Sequence, residues 1–332
     1  MKAAAYFGKR DIRIVDVKKP EIRDDGVLIK MKACGICGTD LHVYNSGLFL
    51  EASTKLIDGR KIIGHEFTGE IVETGKKVKS FKIGDRVASV HNKGGMAEFI
   101  EVEGEKLKNL FKIPDGTAYE TAATLEPFCN PTHSFHLREP KDNETVAIFG
   151  AGIIGLGYLQ IVKAYTKARV IIVDVSDLRL KTAVKIGADV PVNARETDPV
   201  KEIKRLTGEH TVRYLETSSG GCDITIDCAG LSLTLSQCIE LLKPEYGTLI
   251  VAAAYEERLT IDPNIILLKY MQILGSMGYY EHETAEALGL IGSKRVDRDI
   301  LITHRLPLEQ AADGFKTQCN SRESVKVVLV DQ

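Results

Sequence analysis

Two thiols, a hydroxyl and an imidazole fall within nine residues in Cys34-Gly35-Ile36-Cys37-Gly38-Thr39-Asp40-Leu41-His42. The C-x-x-C pair allows three readings. A redox pair belongs at a helix N-terminus in a small α/β fold, and the local pattern is wrong for that. Half of a structural zinc knot needs a second close Cys or His pair, and none follows. The third reading uses Cys37 alone as a metal ligand and leaves Cys34 as an ordinary buried thiol. Gly64-His65-Glu66 favours the third, because an imidazole and a carboxylate at a loop–strand junction can point at one ion. A lone His-Glu pair is more often surface decoration; beside Cys37 it reads as a metal site. A further donor comes from Leu125-Glu126-Pro127-Phe128-Cys129-Asn130-Pro131. Glu126 also reads as a carboxylate at a helix start, with Pro127 in the first turn. Glu126, Cys129 and His133 compete for the ligand role.

A second chemistry lies further on. The apolar run Thr145–Phe149 feeds into Gly150-Ala151-Gly152-Ile153-Ile154-Gly155, a helical pattern follows, and Val170–Val173 ends in Asp174. Strand, G-x-G-x-x-G, helix, strand and acid, with Asp174 19 residues after Gly155, is the fingerprint of dinucleotide binding. Gly150 permits the tight turn, Gly152 lets a pyrophosphate approach the helix N-terminus, and Gly155 allows close helix–strand packing. Asp174 accepts from a ribose 2′-hydroxyl and repels a 2′-phosphate, so NAD is favoured over NADP. Arg179 weakens that preference.

These groups need a scaffold. With 332 residues, two domains are expected. Short strands are expected at Lys2–Tyr6, Ile12–Val17, Val27–Ala33, Glu66–Glu73, Arg86–Val90 and Ala97–Val102, punctuated by Gly and Asp, as in a folded-over β barrel or sandwich. From Thr145 the pattern alternates: helices at Leu178–Ile186, Pro199–Leu206 and Leu233–Leu242 (Ser232 as N-cap) interleave with strands at Ile224–Asp227, Thr248–Ala253 and Met271–Gly275. That is a doubly wound parallel sheet. Cys222, Cys228 and Cys238 read as packing. The tail has a helix over Glu283–Ile291 and a lone strand over Val325–Val330, and is expected to rejoin the N-terminal domain. The 44 basic and 46 acidic residues leave a formal net charge of −2, which gives no footprint for nucleic acid. The longest apolar run, Val146–Leu159, is too short for a bilayer and is broken by four glycines. No signal peptide opens the chain, and seven cysteines lack disulfide-framework spacing, so a cytoplasmic protein without a membrane partner is expected.

Taken together, Gly35-Ile36-Cys37-Gly38-Thr39-Asp40-Leu41-His42, Gly64-His65-Glu66, Gly84-Asp85-Arg86-Val87, Gly94-Gly95-Met96-Ala97-Glu98, Glu126-Pro127 and Gly150-x-Gly152-x-x-Gly155 resemble the zinc-dependent medium-chain dehydrogenase/reductase superfamily, nearly end to end. The Glu-Pro pair is similar to the polyol branch of sorbitol, butanediol and threonine dehydrogenases. The resemblance implies an α/β fold: a GroES-like, mainly β catalytic domain over 1–141, a Rossmann NAD-binding domain over 142–280, and a return to the catalytic domain over 281–332. It selects Cys37, His65, Glu66 and Glu126 as zinc ligands, Glu126 binding directly or through water. It makes Thr39, His42 and Glu66 the catalytic residues: Thr39 bonds the reacting oxygen and His42 relays its proton. It places Gly150, Gly152, Ile153, Ile154, Gly155, Asp174 and Arg179 on the cofactor, with Ile154 behind the nicotinamide, Asn130 near it, and Lys326 on the pyrophosphate. The implied substrate is a secondary alcohol, polyol, vicinal diol or sugar alcohol, with L-threonine as the alternative. A non-enzymatic zinc-binding structural or regulatory relative is the alternative of another class. Two departures stand out. Only ten residues, Ala88 to Ala97, separate Val87 from Glu98, and none is Cys, so the four-cysteine lobe is missing and one zinc per chain is expected. The loop Phe49–Lys61 is longer than usual and is expected to wall the substrate pocket. A homodimer or homotetramer through the nucleotide domain is implied, with Tyr270–Tyr280 as a candidate interface.

Overall fold

The computed structural model describes residues 1–213, 218–256, 258–320 and 322–331. The chain divides into two compact units, Met1–Pro127 with Thr284–Gln332, and Phe128–Glu283. The expected boundaries at 141 and 280 are therefore displaced. The first change of unit falls inside the helix Leu125–Leu137, and the return begins within the helix Glu281–Gly292.

The first unit is mainly β. Its larger sheet has seven strands, running Ile302–Pro307, Lys326–Val330, Gly26–Gly35, Glu66–Thr74, Arg86–Ser89, Leu110–Lys112, with Phe99–Glu103 paired to Gly26–Gly35 off this path. Gly26–Gly35 is buried over nearly its whole length, which suits a strand with neighbours on both sides and a packed face. A second sheet runs Asp11–Asp16, Lys2–Gly8, Arg60–Ile63, Thr54–Ile57. One core cluster joins Ile29, Met31, Cys34, Ile36, Val43, Phe67, Phe315 and Leu329. The tail from Thr284 belongs to this unit, and its last strand is not alone: it pairs parallel with Ile302–Pro307 and antiparallel with Gly26–Gly35. The stretch 49–61 is not a loop. It carries a short helix at Leu50–Ser53 and a hairpin, Thr54–Ile57 with Arg60–Ile63.

The second unit is a six-stranded parallel sheet in the order Val190–Asn193, Arg169–Asp174, Thr145–Phe149, Ile224–Asp227, Thr248–Val251, Gln272–Gly275. Counted along the unit this is 3-2-1-4-5-6, the Rossmann order, whose ligand crevice opens beyond the C-terminal ends of the first and fourth strands. The helix Ile153–Tyr165 starts at Gly152, and a Cβ on Gly155 would collide with the Gly150 carbonyl. Asp198 caps the helix Pro199–Thr207 through the amides of Val200 and Lys201. Leu231, not Ser232, is the N-cap of Ser232–Leu241, because the Thr234 hydroxyl reaches back to the Leu231 amide at 3.3 Å. Cys222 and Cys238 are fully buried among apolar side chains. Among the described residues no helix is long and apolar enough to cross a membrane.

Candidate metal centre and dinucleotide site

The metal donors are assembled by strand register. Gly26–Gly35 pairs antiparallel with Glu66–Thr74 so that Gly35 faces Glu66. Two residues beyond Gly35, Cys37 becomes the N-cap of a helix, Gly38–Ser46. That stretch therefore leaves the strand as a helix and not as a loop. Its Asp40 accepts the Cys37 amide at 3.0 Å, closing the first turn. Glu126 comes from the first turn of Leu125–Leu137. One ligand atom each from Cys37, His65, Glu66 and Glu126 lies within 4.8 Å of the others. These are the four residues that the sequence selects. The rivals are elsewhere. Cys129 is buried in the helix outside this group, and His133 sets Nδ1 2.9 Å from Glu283 Oε1 in the second unit. Cys34 is sealed in the core.

The cluster is rich in buried acidic donors. Glu66 is 0% exposed, and its Oε1 has no hydrogen-bond partner. Burial pushes the Cys37 thiol above its ordinary value, with the Glu66 charge adding to that. Burial works to lower His65, but Asp40 and Cys37 outweigh it and hold the imidazole well above its usual range. One thiolate, one imidazole and two carboxylates suit a four-coordinate divalent ion, zinc above all. Among the described residues no second cluster of three such ligands occurs.

Two further charged residues, Asp40 and Lys326, complete the centre. Asp40 is fully buried, with Oδ1 3.4 Å from His65 Nδ1, the carboxylate–imidazole contact that orients metal-binding histidines. An acid three residues after the Cys37 N-cap was its sequence signal. Lys326 is also fully buried. Its ammonium pairs with Glu66 Oε2 and donates to the Ile36 carbonyl at 2.9 Å. The resemblance implies a place on a pyrophosphate for this residue; here its charge is paired with Glu66 inside the first unit. Thr39 Oγ1 lies 3.7 Å from Cys37 Sγ. His42 sits one turn along the same helix, its ring edge-on to Phe49 at 5.8 Å.

In the second unit, Gly150, Gly152, Ile153, Ile154 and Gly155 form the turn and helix start. Asp174 accepts the Ala151 amide at 2.7 Å through Oδ2 and the Ser176 amide at 2.8 Å through Oδ1. The acid is thereby fixed against the glycine-rich turn. Arg179 Nη1 stands 4.0 Å from Asp174 Oδ2. Asn130 Oδ1 accepts the Gly278 amide at 3.2 Å.

A thiolate–imidazole–carboxylate centre in a GroES-like unit, joined in one chain to a Rossmann sheet, defines a zinc-type alcohol dehydrogenase. Comparison with known proteins agrees. Residues 23–124 match the alcohol dehydrogenase GroES-like domain, and residues 154–293 match the zinc-binding dehydrogenase family. The chain is 30% identical to (R,R)-butanediol dehydrogenase of Bacillus subtilis over 99% of both chains. It is 30% identical to sorbitol dehydrogenase of the same organism over 96% of this chain and 95% of that one. It is 30% identical to L-threonine 3-dehydrogenase of Idiomarina loihiensis over 99% of both. The crystal structure of 2R,3R-butanediol dehydrogenase from Bacillus subtilis superposes with a TM-score of 0.85 at 28% identity, covering 100% of this chain and 99% of that one. The chain belongs to the zinc-type medium-chain alcohol dehydrogenase superfamily, in its polyol branch. It is an NAD(P)-dependent, zinc-dependent dehydrogenase of small alcohols or polyols.

Proposed function

We propose that the chain oxidises a secondary alcohol in a polyol, vicinal diol or sugar alcohol to the ketone, with NAD as hydride acceptor and one catalytic zinc per chain. The observation that carries this reading is the convergence of Cys37, His65, Glu66 and Glu126 on one point. Relatives named for butanediol and sorbitol support the substrate class. The balance is simple: the carbinol C–H leaves as hydride, the hydroxyl proton goes to solvent, and ketone and reduced cofactor result. Zinc would supply Lewis acidity, of the kind that lowers the pKa of a coordinated water to about 7, worth roughly 12 kcal/mol. A general base alone contributes about 10²–10⁴-fold. Cys37, His65, Glu66 and Glu126 would hold the ion. Thr39, beside Cys37 at the helix start, takes the hydroxyl proton, and His42, one turn on, passes it outward.

Asp174 supports NAD over NADP, since a 2′-phosphate would meet its carboxylate. The absence of cysteine in Ala88–Ala97 supports a single zinc. None of the seven cysteines, all among the described residues, is in a disulfide, which supports a reducing cytoplasm. Among the described residues the strand Gln272–Gly275 pairs on one side only, and exposed Tyr270, Met277 and Tyr280 flank it. This supports a homodimer or homotetramer through the nucleotide unit, to be checked by light scattering. A panel of diols, sugar alcohols, their phosphates and L-threonine, each with NAD and NADP, tests the proposal. The relatives named for L-threonine make that amino acid the second reading. Turnover of L-threonine above every diol and polyol would replace the first.

A further inference from the structure

Formal charge frames the question. Cys37 as thiolate, Glu66 and Glu126 bring three negative charges to the cluster, one more than a divalent ion neutralises. An over-neutralised ion is held tightly but is a weaker electrophile. One buried cation stands against this excess. Lys326 and Glu66 are both 0% exposed and ion-paired. The pairing takes Oε2 and leaves Oε1 without a hydrogen-bond partner. The ammonium is tied on its other side to the Ile36 carbonyl, one residue from Cys37. The space is built for the pair. A Cβ on Gly35 would collide with Glu66 Oε2 and come within 2.8 Å of Lys326 Cε. The strand Lys326–Val330 lies next to Gly26–Gly35, so sheet order, not surface flexibility, delivers the lysine there.

We propose that Lys326 is the internal counter-cation of the zinc centre, a positioning residue that occupies one oxygen of Glu66, leaves the other for the ion, and offsets one of the buried negative charges gathered there, Asp40 included. The ammonium repels the ion it helps to place, so it trades affinity for electrophilicity. The inference rests on the metal assignment above.

The test is zinc affinity of the full-length protein by chelator competition, with zinc content and kcat measured in parallel. Lys326→Met and Lys326→Gln remove the charge, and Gln retains a hydrogen-bonding head group should Met fail to fold. Both are expected to bind zinc about tenfold more tightly or better, and to turn over more slowly at full zinc content. Lys326→Arg is expected to stay within about threefold of wild type in affinity, because it keeps the charge. Unchanged or weaker zinc binding in the neutral variants would overturn the proposal, since a purely structural lysine predicts a looser site when removed. So would an Arg variant that shifts as far as Gln. Wild-type protein that binds no zinc would instead overturn the metal assignment itself, which separates the two failures.

Discussion

Asp40→Asn tests the centre through a residue that donates nothing to the metal. Asp40 is buried, accepts the Cys37 amide at 3.0 Å, and faces His65 Nδ1 at 3.4 Å. Asparagine is nearly isosteric and keeps an acceptor for the Cys37 amide, so the helix start survives. What it removes is one negative charge beside the imidazole. Second-shell carboxylates of this kind carry about 10–100-fold in metal affinity, or roughly 1.4–2.8 kcal/mol. The expected result is a zinc dissociation constant 10–100-fold higher by chelator competition. The opposite charge change, Lys326→Met, is expected to move affinity the other way. The double variant should then fall between the singles, with any shortfall from additivity reporting their coupling through the shared ion. Wild-type zinc affinity in Asp40→Asn would refute the claim that this carboxylate sets the field at His65.

Other outcomes follow from the same geometry. Cys37→Ala should lose zinc and all activity, whereas His42→Gln should keep full zinc by metal analysis and lose about 10²-fold in kcat with an altered pH profile; equal losses with zinc retained in both would contradict the division of roles. Asp174→Ala should raise the NADP-to-NAD ratio of kcat/KM by at least about tenfold, as removing a like charge beside a 2′-phosphate requires. Lys269, buried with Nζ on the Ile239 carbonyl and near Glu240, Lys204 and Cys222, is pushed down to about 8, mainly by burial. Between that value and the unfolded lysine value the folded state binds fewer protons, so this group adds stability as pH rises through the window and loses it as pH falls back towards 8. Compared with Lys269→Met in denaturant titrations from pH 7.5 to 10.5, wild type should gain about 3 kcal/mol at most over that range; parallel curves would refute the shift.

The sequence carried the donor atoms better than the elements that hold them. Cys37, His65-Glu66 and the glycine-rich turn are punctuation: they sit where strands end, and strand ends are legible from alternation and from Gly. The helix Gly38–Ser46 was not legible. Gly, Thr, Asp, Val, Tyr, Asn and Ser are weak helix formers, and only Leu41 favours the state. Its existence depends on Asp40 closing the first turn and on Val43 and Tyr44 being buried, which are tertiary facts. The strand Ile302–Pro307 was hidden by His304 and Arg305, and is held by its parallel neighbour. The change of unit was not legible because it happens inside an uninterrupted helix, Leu125–Leu137, where nothing in the composition marks it. The Lys326–Glu66 pair was not legible either, because the two residues lie far apart in the chain and only the sheet order brings them together.

The Gly35–Glu66 pairing has an evolutionary corollary. Because Gly35 and Glu66 are locked across a ladder, everything between Cys37 and His65 is a closed excursion whose two ends cannot drift. The hairpin Thr54–Ile57 with Arg60–Ile63 lies within it. The turn of that hairpin, Asp58-Gly59, is exposed, so it can change in length while the strand ends that carry Cys37 and Glu66 stay put. Variation at the tip and constancy at the base can thus coexist along the same stretch of gene.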